Sequence, residues 1–337
     1  MRRVLPTGVS VLGLVVCISG LCQAPIVQPP NGPGAAPPKK GKSAPAIAPG
    51  KGGAGLIPIV LNYHPVHGEM VVDGLVNGNN PAQFVIATGL NHSTVSPEDV
   101  ARFELKPGDK QQKVTFLDIS CEGPIASVKS IRLGAGTVQN LDVTQASLWP
   151  LLTKENTGDL PGCWLGADWL SHFQVMLDFE QHSIILSRPD SPFIKSAGSA
   201  IVPFKMKAGR PVVKINAGAA GTFEAVLDTA SMGTLIPSAG AQKLKGKKGT
   251  TAPSGVNDVA GGKMVRVIVP SIALGKAQVK NLMAVSLGPN AKAGSDKTMA
   301  VIGQDFMRHF RIIISFTRQQ IQILPPASQD KPEEPGT

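Results

Sequence analysis

Asp228 closes an apolar run and is followed by hydroxyl residues in Val226-Leu227-Asp228-Thr229-Ala230-Ser231, so a carboxylate stands on a turn with donors around it. Such a group can take a proton from water or hand one back when its environment holds it near the working pH. The same pattern occurs 141 residues earlier as Val85-Ile86-Ala87-Thr88-Gly89-Leu90, with alanine in the acid's place. The chain thus carries one motif twice and its acid once.

What must position these turns is also duplicated. Val71-Val72-Asp73-Gly74-Leu75-Val76-Asn77-Gly78 opens one half and Pro211-Val212-Val213-Lys214-Ile215-Asn216-Ala217-Gly218 the other, each reading as a strand that runs into a Gly/Asn turn. After the motif come Ser130-Ile131-Arg132-Leu133-Gly134 with Val138 to Leu141, against Ser271-Ile272-Ala273-Leu274-Gly275 with Val279 to Leu282; both are hairpin patterns with Gly at the turn. Trp164-Leu165-Gly166-Ala167-Asp168 then matches Val301-Ile302-Gly303-Gln304-Asp305, two apolar residues and a Gly leading into a helical turn. A last strand follows in each half, Val175 to Phe179 and Ile312 to Phe316. Gly166 to Gly303 is a step of 137 residues, close to the 141 between Ala87 and Asp228, so the register holds and the chain is an internal duplication.

The chain of 337 residues is long enough for two cored domains. Its apolar residues are mostly Val, Ile, Leu and Ala with few aromatics, a bias toward strands. Arg2, Arg3 and the apolar run Val9 to Leu21 before Cys22-Gln23-Ala24 read as an export signal over residues 1–24, too short and interrupted for a bilayer span. Residues 25–55, rich in Pro, Gly and Lys, are expected to be a disordered linker. One lobe is then expected over 56–190 and a second over 191–325, joined near Arg188-Pro189-Asp190-Ser191-Pro192, with a disordered tail over 326–337. Loss of Arg2 and Arg3 lowers the formal charge from +10 to +8, and the run Lys243 to Lys248 lacks aromatic interleaving, so it reads as a solvated loop rather than a nucleic-acid site. Cys121 and Cys163 remain after the signal, as one disulfide or two free thiols.

With Thr234 and Ile236 downstream of Asp228-Thr229-Ala230-Ser231, and Val301-Ile302-Gly303 further on, the second half resembles the retropepsin-like aspartic peptidases. The first half is similar, with Ala87-Thr88-Gly89, Ser93, Val95 and Leu165-Gly166 in the corresponding places. The resemblance implies a mostly β fold of two tandem β-barrel lobes meeting at their Asp-bearing turns under β-hairpin flaps. Asp228 would be the acid or base, Ala87 the lost Asp position, and Thr88 and Thr229 the residues that tie the two turns together. Gly89, Ala230, Ser231 and the flap glycines Gly261 and Gly262 would line the substrate. Asn257 to Gly262 is the expected flap turn of the second half, and Ser120-Cys121-Glu122-Gly123 that of the first. The family's chemistry uses two close carboxylates sharing one proton. With Ala87 opposite Asp228 that chemistry is impaired, and Ala230 adds a Cβ where the family has Gly.

Other acids and histidines read more plainly. Asp168 and Asp305 recur after the Gly at a helix start, a capping position. His64 and His67 lack an evident third ligand, and no metal or other cofactor is expected. Three functions fit this reading: an exported protein, periplasmic, envelope-bound or secreted, that holds extended polypeptide in an inter-lobe cleft; an active endopeptidase in which two second lobes pair as a homodimer; and a non-enzymatic envelope scaffold.

Overall fold

The computed structural model describes residues 57–116, 119–148, 160–244, 264–287 and 299–329. The chain divides into two units, Met1–Gly55 and Leu56–Thr337. The expected signal and linker lie outside the described residues, and among those described no helix is long and apolar enough to cross a membrane.

The first half runs β1 (Ile59–Asn62), β2 (His64–Val66), β3 (Glu69–Val76), β4 (Asn80–Ile86), β5 (Thr94–Val95), β6 (Pro107–Phe116), β7 (Ile119–Leu133), β8 (Gly136–Gln145), β9 (Cys163–Leu165), β10 (Gln174–Asp178) and β11 (Ser183–Ser187). The second runs β12 (Ala200–Pro203), β13 (Lys205–Lys207), β14 (Arg210–Asn216), β15 (Thr222–Leu227), β16 (Met264–Leu274), β17 (Ala277–Leu287), β18 (Ala300–Ile302), β19 (Arg311–Ser315) and β20 (Gln320–Leu324). The expected mostly β, two-lobed architecture is what forms. The hairpins turn at Gly134 and Gly275, both with left-handed φ (55° and 61°), where a side chain would be strained.

Each lobe has its own sheet, β2-β3-β4-β9-β5-β8-β7-β6 in the first and β17-β16-β14-β15-β18 in the second. A third sheet, β1-β11-β10-β19-β20-β12, takes half its strands from each lobe. At its centre β10 and β19 pair antiparallel with Met176 opposite Ile313 at mid-strand, so an approximate two-fold axis passes between them. β19 reads Arg311-Ile312-Ile313-Ile314-Ser315 with the three isoleucines all buried, the unbroken apolar run of a strand covered on both faces. One hydrophobic cluster accordingly runs through both lobes, from Leu61 and Val175 to Val202 and Ile312.

Strand pairing fixes the internal register. Val71 pairs with Val85 and Val212 with Val226, so Val71 corresponds to Val212 and the step of 141 extends back through the opening strands. Two expectations need correction. Ser120 to Gly123 are not a turn: they lie in β7 opposite Thr115, Val114, Lys113 and Gln112 of β6, and the pairing runs on to Phe116 opposite Ile119. The start of the expected loose tail, Ala327–Gln329, is a 3₁₀ turn, and the Ser328 N–H donates to Glu180 Oε2 at 3.3 Å. Asn257 to Gly262, with Gly261 and Gly262, fall outside the described residues.

Candidate active site

Each motif turn is delivered by the end of a strand whose parallel neighbour carries the later apolar-apolar-Gly. β4 lies beside β9, and the Ala87 N–H donates to Leu165 O at 2.9 Å; β15 lies beside β18, and the Asp228 N–H donates to Ile302 O at 3.1 Å. The glycines that end these neighbours leave room for the chain just past each motif turn. A Cβ on Gly166 would sit 2.7 Å from Leu90 O, and one on Gly303 2.5 Å from Gly233 O. Asp168 accepts from Ser93 Oγ (2.6 Å) and Ser93 N (2.8 Å), and Asp305 from Thr234 Oγ1 (2.6 Å) and Thr234 N (2.9 Å). Each also accepts its following N–H, Trp169 or Phe306, at 2.8 Å. These two acids therefore brace the turn against the helix start, in line with their capping positions.

The two turns interlock. The Thr88 N–H donates to Thr229 Oγ1 and the Thr229 N–H to Thr88 Oγ1, both at 3.0 Å. Each hydroxyl donates onward to the opposite lobe, Thr88 Oγ1 to Leu227 O at 2.8 Å and Thr229 Oγ1 to Ile86 O at 2.5 Å. Both threonines are fully buried. Removing one hydroxyl strands a buried carbonyl and a buried N–H on the other lobe, so Thr229→Val should lower stability by about 2–4 kcal/mol. Thr88→Val should cost a similar amount, and the double variant less than the sum because the bonds are shared. Urea unfolding measures all three; a loss below about 1 kcal/mol for each single variant would show that the grip does not hold the lobes.

Asp228 sits at the centre of this knot. Its Oδ1 accepts from the Ala230 N–H (3.0 Å) and, across the lobe boundary, from the Gly89 N–H (3.2 Å). Its Oδ2 is buried without a hydrogen-bond partner. Burial pushes its pKa up to about 6, against the pull of those two N–H groups and of the Arg210 charge. Gly89 is glycine for a steric reason: a Cβ there would lie 2.3 Å from Asp228 Cγ. In the mirrored place Ala230 and Ala87 pack together, with Val71, Val85, Leu90 and Trp164, in a small apolar cluster. Ser231, fully engaged locally, donates its hydroxyl to Gly233 O at 2.7 Å.

Three residues escaped the sequence reading. Glu69, 3% exposed, begins β3, and Arg210, 6% exposed, begins β14. The constant step of 141 equates them, and each follows the Gly of a tight turn, signals that the opening strands already contained. Burial pushes Glu69 up to about 9, with the Asp228 charge adding to the rise. Gln304 bridges the lobes, its side-chain N–H₂ donating to Thr229 O (2.6 Å) and to Gly68 O (2.9 Å). Cys121 and Cys163 are free thiols, and Cys163 Sγ lies 3.5 Å from Asp99 Oδ2. Among the described residues no group of three or more His, Cys, Asp or Glu is arranged to hold a metal ion.

Two matching β lobes, locked through paired threonine turns, define a bilobal protein of the aspartic-protease type, with Asp228 on one turn and Ala87 at the matching place on the other. The sequence model of the family described as aspartyl protease matches residues 72–169 and 212–306. The chain belongs to the aspartyl protease family. Among solved structures it is similar to the aspartic proteinase from Irpex lacteus, with a TM-score of 0.54 and 12% identity over 80% of this chain and 98% of that one. No curated protein sequence matches the chain.

Proposed function

We propose that this protein binds extended polypeptide between its lobes and that its peptide-bond cleavage is crippled by the loss of the first acid. One observation carries the reading: the threonine grip is complete while Ala87 stands across from Asp228. Without a second carboxyl at that position the pair cannot divide the work of activating water and polarising a carbonyl, a loss of about 10²- to 10⁴-fold. Main-chain pairing to an extended guest needs no such chemistry and survives it. Pairing of two second lobes into an active homodimer is disfavoured, because Thr229 spends its hydroxyl and N–H on the first lobe. The basic, apolar N-terminus supports action outside the cytoplasm.

The test is incubation of the mature protein with an unfolded protein at acidic and neutral pH, with cleavage and binding followed in parallel. Binding with little or no cleavage is expected, and whatever cleavage occurs should vanish in Asp228→Asn. Rapid cleavage that depends on Asp228 would show that one acid suffices, and absence of binding would remove the cleft reading altogether.

A further inference from the structure

An open groove of about 630 Å³ lies in the second lobe, and none of its lining residues belongs to a motif turn. Ala277 to Lys280 of β17 form one stretch of its lining and Ile323 to Pro326, at the end of β20, another. β17 is the end strand of the second-lobe sheet, and over Ala277–Leu282 its only strand partner among the described residues is β16. Four successive residues of that free edge line the groove, so the groove runs along it, and Gln278 and Lys280 are exposed. The edge therefore leaves main-chain N–H and C=O groups open to a further strand. Phe310, Pro325 and Pro326, each half-buried, add apolar surface.

The charge around this groove has one sign. Lys276, Lys280 and Arg308 are exposed there with His309 beside Arg308, and no acid lines it. Among the described residues none of the three cations has an ion pair or a side-chain hydrogen bond. The duplication shows that the fold does not require them. The step of 141 equates Lys276 and Lys280 with Ala135 and Gln139, and the step of 137 equates Arg308 with Ser171. Arg188 stands where Pro325 does, but its charge is paired with Asp190 at 3.1 Å. Hairpin and helical turn are thus common to both halves, whereas the unanswered charge belongs to the second alone. We propose that this groove is a second binding surface, separate from the cleft, for an acidic, extended stretch of a partner polypeptide. The guest's main chain pairs with the β17 edge and its carboxylates meet Lys276, Lys280 and Arg308. A polypeptide suits the edge where a nucleic acid does not, because it alone carries the ladder of N–H and C=O groups that a strand edge accepts.

The experiment uses the full chain and a fluorescent ten-residue peptide with Glu at every second position and Thr or Val between, beside a counterpart with Gln in place of Glu. By fluorescence polarisation at low ionic strength the Glu peptide is expected to bind about tenfold tighter, the product of three exposed ion pairs each contributing a factor of about two. The gap should close as salt rises. In the triple variant Lys276→Ala, Lys280→Gln, Arg308→Ser, which takes the first lobe's residues, the two peptides should bind alike. Equal affinities in the wild type overturn the proposal even if the variant does not fold, as does a Glu preference that persists in the folded variant. Displacement of the peptide by an equal concentration of a single-stranded DNA ten-mer would show a site for any polyanion and overturn it too. Tighter peptide binding after Asp330→Asn, Glu333→Gln and Glu334→Gln would make the chain's own acidic end the occupant and overturn an external partner. The Gln peptide reports on the cleft, which the triple variant leaves intact, so failure of the cleft reading is distinguishable from failure of this one.

Discussion

Ala87→Asp combined with Ala230→Gly is expected to raise peptide cleavage by about 10²- to 10⁴-fold, while Ala87→Asp alone leaves it unchanged. The asymmetry follows from the space around Asp228. Gly89 sits so close to that acid that a Cβ on it would lie 2.3 Å from Asp228 Cγ. The step of 141 places Ala230 in the same relation to residue 87, and there the Cβ is present and packed in the cluster that holds Ala87. Asp228 thus goes with a glycine across the axis, Gly89, and Ala87 with an alanine, Ala230. Introducing the acid without removing the Ala230 methyl forces overlap and displaces one turn from the threonine grip. With both changes the new carboxyl gains the room that Asp228 now has, and two close acids share one proton. Cleavage of an unfolded protein at acidic pH measures the effect. Equal activity of the single and double variants would show that Ala230 is no obstacle, and inactivity of a folded double variant would show that the grip does not align the acids.

The second large effect concerns pH. The fold should be most stable in mild acid and lose stability as pH rises from about 4 to about 9. Asp228 is held at about 6 against an ordinary value of 3.8, and Glu69 at about 9 against 4.5, in both cases chiefly by burial. A carboxyl raised in this way keeps its proton in the folded chain at a pH where the unfolded chain has released it. The folded chain then binds more protons, so its stability is fully present below the unfolded pKa and falls as pH rises through the folded one. For Asp228 the loss is on the order of 3 kcal/mol between about pH 4 and 6, and Glu69 carries the decline on toward 9. Arg210 offsets part of the Asp228 contribution. Urea midpoints at pH 5 and pH 8 test this. Wild type should be clearly weaker at pH 8, whereas Glu69→Gln should show a much flatter profile above pH 6. A midpoint that rises from pH 5 to pH 8 would contradict the burial of two acids at the lobe boundary.

How the site could be read in advance differed from residue to residue. Ala87, Asp228, Thr88 and Thr229 were legible because they sit in a short pattern that occurs twice, and a repeated pattern separates a site from an ordinary Asp-Thr turn. Asp168 and Asp305 were legible as helix-start acceptors of their following N–H groups, but their bonds to Ser93 and Thr234, which brace the motif turns, appear only in the fold. Glu69 was not, since a lone acid at a strand start ordinarily faces water; only folding shows it enclosed. Gln304 was hidden for the opposite reason, being an unremarkable amide whose two acceptors lie 75 and 236 residues away along the chain. The turn expected at Ser120 to Gly123 is strand instead, and it was expected because Gly123 looked like a turn former. In the fold it is a strand residue whose missing Cβ admits Gln145 O, which would lie 2.1 Å away.

The sequence by itself determined the duplication, the predominance of strands and the absence of one acid, because these rest on residue type and on spacing along the chain. Tertiary structure alone decided that β10 and β19 join the halves into one sheet, that Ala230 fills the room facing Ala87, and that Glu69 is sealed in beside Asp228. Those are contacts between residues far apart in the chain, set by how two lobes close on a shared axis, and no local pattern records them.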